Sequence, residues 1–344
     1  MKVVPVRDAV GMVLCHDITR IVPGESKGPA FRKGHVIRDE DLPVLRDLGK
    51  ENIFVFELDP GWIHENEAAR RIARAAVGQG IHRGEPVEGK VDLVASGTGL
   101  LKIDLEGLKR INSLGDVILA TLHTHQPVTE GCKLAGTRII PLVTEESRVE
   151  EVEGICRDHD PVLQVLPFAA YRVGLVTTGT EVYSGRIRDG FGPVIRRKFA
   201  ELGSAVFRQE FVSDDVEMTV KAIRGLLDDG AQMITVTGGM SVDPDDRTPA
   251  SIRAAGGREM VYGAPVLPGA MFLLAAIDGV PVLGLPGCVM YHRRSIFDLV
   301  VPRILAGETV TREDIAALGH GGLCRVCTDC RYPACGFGKG GMAV

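Results

Sequence analysis

The feature that most restricts the fold is an alternation that begins near residue 170. RVGLVTT (172–178), AVFRQEFV (205–212) and QMITVTGG (232–239) read as strands. Between them lie two helical stretches. GPVIRRKFAELG (192–203) turns Val194, Ile195, Phe199 and Leu202 inward, and DDVEMTVKAIRGLLDDG (214–230) carries Val216, Val220, Ile223 and Leu227 on one face. Strand–helix–strand–helix–strand with largely apolar strands predicts an α/β fold, a doubly wound and mostly parallel sheet. A later strand, VPVLGLPG (280–287), precedes a helical stretch to about Leu305.

What comes before is different in kind: a β-rich α+β N-terminal region. FRKGHVIRDEDLPVLRDLG (31–49) is a strand, an acidic first turn and a helix with Leu42, Leu45 and Leu48 on one side, and NIFVFEL (52–58) is a strand. Residues 61–80 fit a helix, with Ile63, Ala69, Ile72, Ala73, Ala76 and Val77 near a 3.6 period and Gly78 and Gly80 closing it. VDLVASGTGLLKID (91–104) reads as two strands, with Ser96–Gly99 as a hairpin turn, and DVILATLHTHQPV (116–128) and TRIIPLV (137–143) as further strands. The acidic EESRVEEVEGICRDHDPV (145–162) points to a boundary near residues 150–168. The expected organisation is an N-terminal α+β region over 1–60, a helix plus β-rich module over 61–168, the α/β domain over 169–308 and a cysteine-rich tail over 309–344.

With 344 residues, two or three domains are expected. The N-terminus breaks its apolar run at Arg7 and Asp8, and no apolar run reaches the roughly 20 residues of a membrane helix, so a soluble, cytoplasmic protein without a membrane partner is expected. A net charge of −5 and a pI near 6.0 argue against a nucleic-acid partner. They leave room for a phosphorylated small ligand held by backbone amides.

Three polar clusters follow three of the α/β strands: TGTEVYSG (178–185), SDD (213–215) and TGGMSVDPDD (237–246). Parallel strands share a C-terminal rim, and ligands bind there where strand order reverses. Gly179, Gly238 and Gly239 lack a Cβ and let backbone N–H groups approach a phosphate, while Thr178, Thr180, Ser184 and Ser241 add hydroxyls. Asp214 and Asp246 are candidates for a shared Mg²⁺, an ion that takes one or two protein carboxylates and bridges to phosphate oxygens. The plainer reading makes the glycines a turn, Ser213 an N-cap, and Asp214 and Asp215 partners of a helix dipole.

At these residues the chain resembles the molybdopterin-binding domain family of molybdenum-cofactor biosynthesis. The matching elements, in order, are TGTEVYSGRIRDGFGPVIRRKFAELG, VSDD, TVTGGMSVDPDDRTP and the two LPG triplets at 267–269 and 285–287. The resemblance covers about residues 170–305. It implies a pterin phosphate on the sheet rim, with Asp214 and Asp246 as essential acids and Gly238, Gly239 and Ser241 on the phosphate loop. It further implies Thr180, Glu181, Ser184 and Asp189 on the first loop, with Thr178 and Gly179 at its start, and Pro286 and Gly287 on the last turn. Cys288 and Val289 stand where the family more often has Asn and Pro, the Met-Asp-Gly-Tyr-type motif of the molybdenum-inserting branch is absent, and a cysteine tail stands where that branch has a small β domain. The implied activity is molybdopterin molybdenumtransferase-like: Mg²⁺-assisted molybdate insertion, or handling of adenylated molybdopterin, with nucleotide or molybdate as further partners and a homo-oligomeric assembly. The alternative is a non-catalytic molybdopterin carrier or sensor.

Of the eight cysteines, Cys15, Cys132, Cys156 and Cys288 are scattered. Cys324, Cys327, Cys330 and Cys335 crowd into HGGLCRVCTDCRYPACGFGKGG (320–341) as C-x₂-C-x₂-C-x₄-C. The two adjacent x₂ spacings suit an Fe–S cluster, four thiolates also satisfy Zn²⁺, and the glycines would equally permit a flexible metal-free tail. His320 is a substitute ligand. His123 and His125 would share one side of a strand. Arg196, Arg197 and Lys198 read as a solvated helix face, while Arg186, Arg188 and Arg247 lie near the rim.

Overall fold

The computed structural model describes residues 2–22, 26–56 and 60–340. The chain divides into two compact units: Met1–Ser96 with Ile103–Leu122 and Glu130–Gln164, and Gly97–Lys102 with His123–Thr129 and Val165–Val344.

The first unit is built from small antiparallel sheets. Lys2–Pro5 pairs with Asn52–Val55, and Ile18–Val22 with Ser26–Phe31, around a core that includes Val4, Leu14, Ile37, Leu45 and Ile53. The last residues of the expected NIFVFEL strand, 57 and 58, lie outside the described residues. A four-stranded sheet follows, ordered Ile81–Arg83, Lys90–Ala95, Lys133–Ile139, Val117–Thr121. Helix Glu65–Ala76 buries Ala68, Ala69, Ile72, Ala73 and Ala76, the 3.6-period stripe seen in the sequence. It starts later than residue 61 because Trp62–His64 pairs with Val143–Glu145 as a strand.

Two expectations about 91–128 are corrected. Lys90–Ala95 and Gly99–Ile103 do not form a hairpin; the second strand lies between Gln126–Val128 and Leu163–Pro167 in a separate three-stranded sheet. A Cβ on Gly99 would stand 2.2 Å from the Leu166 carbonyl oxygen, so this glycine serves close strand approach, and Ser96–Gly99 is a crossover and not a turn. His123 and His125 do not share a strand either. Strand Val117–Thr121 has ended, His125 sits at φ +58°, and its Nε2 lies 3.3 Å from Glu308.

The second unit holds the α/β sheet. Its elements are β1 (Arg172–Thr178), α1 (Thr180–Tyr183), α2 (Phe191–Glu201), β2 (Ala205–Val212), α3 (Val216–Asp228), β3 (Met233–Thr237), α4 (Thr248–Ala254), β4 (Arg258–Tyr262), β5 (Leu273–Ile277), β6 (Val280–Leu285), α5 (Cys288–Tyr291), α6 (Ile296–Leu305) and α7 (Arg312–Ala317). The strand order is β2-β1-β3-β6-β5-β4. Strands β2, β1, β3 and β6 run parallel, with β5 antiparallel to β6 and β4 antiparallel to β5. From β1 the chain steps outward to β2 and returns past β1 to β3. The order therefore reverses between β1 and β3, which puts the switch point at the C-terminal ends of those two strands. Every residue of β3 is buried, as expected for a strand covered on both faces.

Three details depart from the sequence reading. Asp215, not Ser213, caps α3, accepting the Met218 N–H at 2.8 Å. The buried face of α3 runs through Thr219, Ala222, Ile223 and Leu226. Lys198 does not belong to a solvated face: it and Asp298 are each 5% exposed, and its Nζ donates to both Asp298 oxygens (3.1 and 2.9 Å) and to the Arg293 carbonyl (3.0 Å). The cause is α6, which is buried along its whole length and packs Phe297 edge-on against Phe199 of α2. Lys198 therefore points into protein, while Arg197 beside it stays exposed.

The tail is docked, which corrects the flexible-tail alternative. Leu267 donates to the Gly322 carbonyl and accepts from the Cys324 N–H, each at 2.8 Å. The Tyr332 hydroxyl donates to the Asp298 carbonyl at 2.9 Å, and Phe337 is buried in the core with Leu299 and Val300. Asp298 thus ties α2, the start of α6 through the Ser295 N–H, and the tail. Removing one partner of a buried ion pair leaves an uncompensated charge, so Lys198→Met is expected to destabilise by about 3 kcal/mol or more. Urea unfolding measures this, and a loss under about 1 kcal/mol would contradict the buried pairing.

Candidate functional site

At the switch point two loops meet backbone to backbone. β3 ends at Thr237, and Gly238 and Gly239 follow at φ +86° and +56°. A Cβ on Gly238 would stand 2.2 Å from the Thr178 carbonyl oxygen at the end of β1, and one on Gly239 would stand 2.9 Å from Thr248 Oγ1. The first residue of α4 holds the pair in place: Thr248 Oγ1 donates to the Gly238 carbonyl (2.8 Å) and its N–H to the Gly239 carbonyl (3.1 Å). Only glycine meets this demand, because both a positive φ and the missing side chain are needed. On the far side, Gly269 sits at φ +138°, where a Cβ would meet Ile296.

These loops enclose a cavity of about 520 Å³, lined by Phe191, Gly238, Gly239, Met240, Ser241, Asp246, Leu267–Met271, Pro286, Gly287 and Cys288. Six residues singled out in the sequence therefore converge: Gly238, Gly239, Ser241, Asp246, Pro286 and Gly287. No Lys or Arg is among the lining residues. The floor is glycine backbone, the walls are Phe191, Met240, Leu267 and Met271, and the one charged group is Asp246, whose carboxylate accepts the Asp243 N–H at 3.2 Å. Burial raises the Cys288 thiol above its ordinary pKa, so it lines the wall as a neutral group.

The other singled-out residues support the rim without lining this cavity. Thr178 is buried under the Gly238 loop. Asp214 accepts from the Thr180 N–H (2.9 Å) and hydroxyl (3.1 Å) through Oδ2, which anchors the loop carrying Gly179, Thr180 and Glu181 to the end of β2. Ser184 donates to the Glu181 carbonyl. Asp189 accepts the Phe191 and Gly192 N–H groups and the Gln209 amide, and so sets the start of α2 and the Phe191 wall. Phe191, Met240 and Met271 were missed as lining residues, while Cys288 follows the second LPG triplet, where the family more often has Asn. Only nearness to Gly238, LPG 267–269 and LPG 285–287 could have signalled the missed three.

In the tail, Cys324, Cys327, Cys330 and Cys335 all line one cavity of about 530 Å³, with Arg294, Tyr332 and Phe337. Among the described residues, no three His, Cys, Asp or Glu side chains are grouped so as to hold a metal ion. His320 does not line this cavity; its Nδ1 lies 3.0 Å from the Gly340 carbonyl.

The first unit holds a titratable cluster that the sequence did not signal. His64 Nε2 donates to the Cys15 carbonyl at 2.5 Å, leaving Nδ1 to accept the Asn66 N–H (3.1 Å) beside Lys33 Nζ (2.9 Å). Burial, then the Lys33 charge, lowers the His64 pKa to about 4. Burial likewise lowers Lys33 and raises Glu65.

Gly238→Ala is expected to lose about 2 kcal/mol or more in thermal or urea unfolding, because a left-handed conformation and a backbone clash coincide. Gly97→Ala, with nothing within 4 Å of its Cβ, serves as the neutral control, and equal stability of the two variants would contradict the close approach. His64 makes stability depend on pH. Its folded-state pKa lies below the unfolded value near 6.5, so the unfolded chain binds the proton first as pH falls. Its stabilisation is complete above about pH 6.5 and is lost toward pH 4, by up to about 3 kcal/mol. Urea midpoints between pH 7 and pH 5 should fall less in His64→Asn than in the parent; an identical fall would contradict a neutral buried His64.

Residues 174–306 match the family model described as "Probable molybdopterin binding domain", and residues 3–57 match a domain of unknown function. A CinA-like protein of Mycobacterium avium (strain 104) is 36% identical over 101 residues, covering 29% of this chain and 23% of the relative. The chain thus matches less than a quarter of the length of that curated relative. The molybdopterin biosynthesis enzyme MoaB of Thermus thermophilus aligns over 40% of this chain and 98% of its own, at 24% identity and a TM-score of 0.35. The molybdopterin biosynthesis MoeA protein of Pyrococcus horikoshii aligns over 89% and 74%, at 15% identity and a TM-score of 0.33. Among the described residues no helix is long and apolar enough to cross a membrane. Residues 174–306, which hold the glycine floor, Asp246 and both LPG turns, are thus similar to the probable molybdopterin-binding domain family, the family that the strand-end loops resemble.

Proposed function

We propose that this chain binds molybdopterin with the phosphate against the Gly238–Gly239 loop, and acts in molybdenum-cofactor biosynthesis as a molybdenumtransferase-like enzyme. The observation that carries this reading is a cavity with a glycine floor, one carboxylate and no lining cation, at the switch point of a matching domain. Consecutive backbone N–H groups in a positive-φ turn form a concavity suited to an anion, and the Ser241 hydroxyl adds a donor. Phe191, Met240 and Met271 offer apolar walls to a flat ring system.

Beside backbone N–H groups, a phosphate in a cavity that no Lys or Arg lines is further neutralised by a counter-cation. Asp246, with the second oxygen of Asp214 as a further ligand, suits Mg²⁺, which keeps most of its shell as water and phosphate oxygen. Bound there, the ion would supply charge neutralisation for phosphoanhydride or molybdate chemistry. The chain's own contribution is positioning. Thr180 and Asp214 fix the first loop, Thr248 fixes the second, and Asp189 fixes the Phe191 wall. Molybdate insertion and handling of adenylated molybdopterin both fit this arrangement, with molybdate or nucleotide as co-substrate. The resemblance adds a homo-oligomer.

A second reading, a carrier or sensor without turnover, is favoured by one observation: Asp214 Oδ2 is already engaged by Thr180 and the residue lies outside the cavity lining. Asp246→Asn separates the two. The enzyme reading expects Mg²⁺-dependent turnover of molybdopterin with molybdate or nucleotide to fall at least about 100-fold, as when one group stabilising transition-state charge is removed, with unchanged unfolding. Undiminished turnover in the variant would overturn the role of Asp246. Binding without turnover in the parent would select the carrier.

A further inference from the structure

We infer that the tail cavity is a second ligand site, built for a small aromatic carboxylate. The inference goes beyond the proposed function and is independent of what the rim cavity binds.

The cavity, about 530 Å³, is large enough for a small molecule. Its lining joins two properties. Arg294, Arg325 and Arg331 line it with a single acid, Asp329, so the charge there is positive. Leu323, Tyr332, Phe337 and the free thiols make the rest apolar and polarizable. The Tyr332 hydroxyl is engaged with the Asp298 carbonyl at 2.9 Å, and its ring meets that of Phe337 at 6.2 Å between centroids. The two aromatic groups therefore offer carbon and not polar atoms. An inorganic anion would leave this lining unused, whereas a ring that carries a negative group uses both halves of it.

Arg294 supplies the point of recognition. Its guanidinium lies 5.0 Å over the Tyr332 ring, and its Nη1 donates to Asp298 Oδ1 at 2.8 Å, which fixes the group in place. Asp298 is shared with Lys198, and Glu201 stands 3.9 Å away and half exposed, so the charge of Arg294 is only partly offset. Its Nε is buried and has no hydrogen-bond partner among the described residues. Buried donors are nearly always satisfied, so an orphan on a cation that lines a cavity marks a place for an acceptor. A carboxylate fits best. Its two oxygens match the paired N–H groups along one edge of a guanidinium, which a single-point acceptor does not.

The test titrates the full chain with 2-naphthoate and with uncharged 2-naphthalenemethanol, by calorimetry. The carboxylate is expected to bind at one site, at least about tenfold more tightly than the alcohol, because charge-assisted hydrogen bonds are the strong ones. Arg294→Lys keeps the charge but not the fork, and should lose most of that preference. Because Arg294 also pairs with Asp298, Arg325→Gln/Arg331→Gln, at two exposed positions, is made beside it. This variant should unfold normally and weaken naphthoate several-fold while leaving the alcohol unchanged. Bound naphthoate should also slow the alkylation of the exposed Cys327 and Cys330 by iodoacetamide several-fold. No saturable binding, or equal affinity for the two probes, would overturn the inference. So would binding that neither protects these thiols nor responds to the arginine variants, or purified chain whose tail thiols hold a stoichiometric metal.

Discussion

The rim depends on two backbones lying closer than any side chain allows. Thr178 ends β1, Gly238 follows β3, and a Cβ on Gly238 would fall 2.2 Å from the Thr178 carbonyl oxygen. Because β1 and β3 are adjacent parallel strands, their ends must share an edge; because the chain reverses direction of travel there, a crevice opens at that edge. The glycine pair turns the crevice into a floor of backbone, and Thr248 locks it from behind. The acid, the apolar walls and both LPG turns are arranged around this floor.

A second constraint is the buried charge at Asp298. Its carboxylate receives Lys198 from α2, Arg294 from the preceding turn and the Ser295 N–H, and its carbonyl receives Tyr332 from the tail. Burying a charge is tolerated only when it is paired and hydrogen-bonded, and here every group around Asp298 contributes. The consequence is mechanical. α2 begins at the Phe191 wall of the cavity, α6 begins beside Gly269, and the tail reaches Leu267, so three walls of one site are referred to one buried carboxylate.

The α/β rhythm was legible because apolar period and strand–helix alternation are local properties. Gly238, Gly239, Ser241 and Asp246 were legible because strand ends in a parallel sheet lie on a common rim, whatever their distance in sequence, and Pro286 and Gly287 because the second LPG triplet carries the family resemblance. What escaped depends on distant partners. Arg196-Arg197-Lys198 looks like a solvated run, and only Asp298, 100 residues on, explains why its last member is buried. That Asp214 also anchors the first loop emerges only when Thr180, 34 residues earlier, is seen donating to it twice. Gly97 and Gly99 look like a hairpin turn, yet one is open and the other lies against a third strand, a difference of sheet assignment that no local pattern carries. His64 gave no signal because its depressed pKa comes from burial and from Lys33, both supplied by the fold.

The central claim is that the glycine floor takes the phosphate of molybdopterin. Anaerobic equilibrium titration of the full chain with molybdopterin, and with the same pterin after enzymatic removal of its phosphate, tests it most directly. Hydrogen bonds to a charged group contribute about 1.5–3 kcal/mol each, so the dephosphorylated ligand should bind at least about tenfold more weakly. Equal affinity for the two ligands, or no affinity for either, would contradict it.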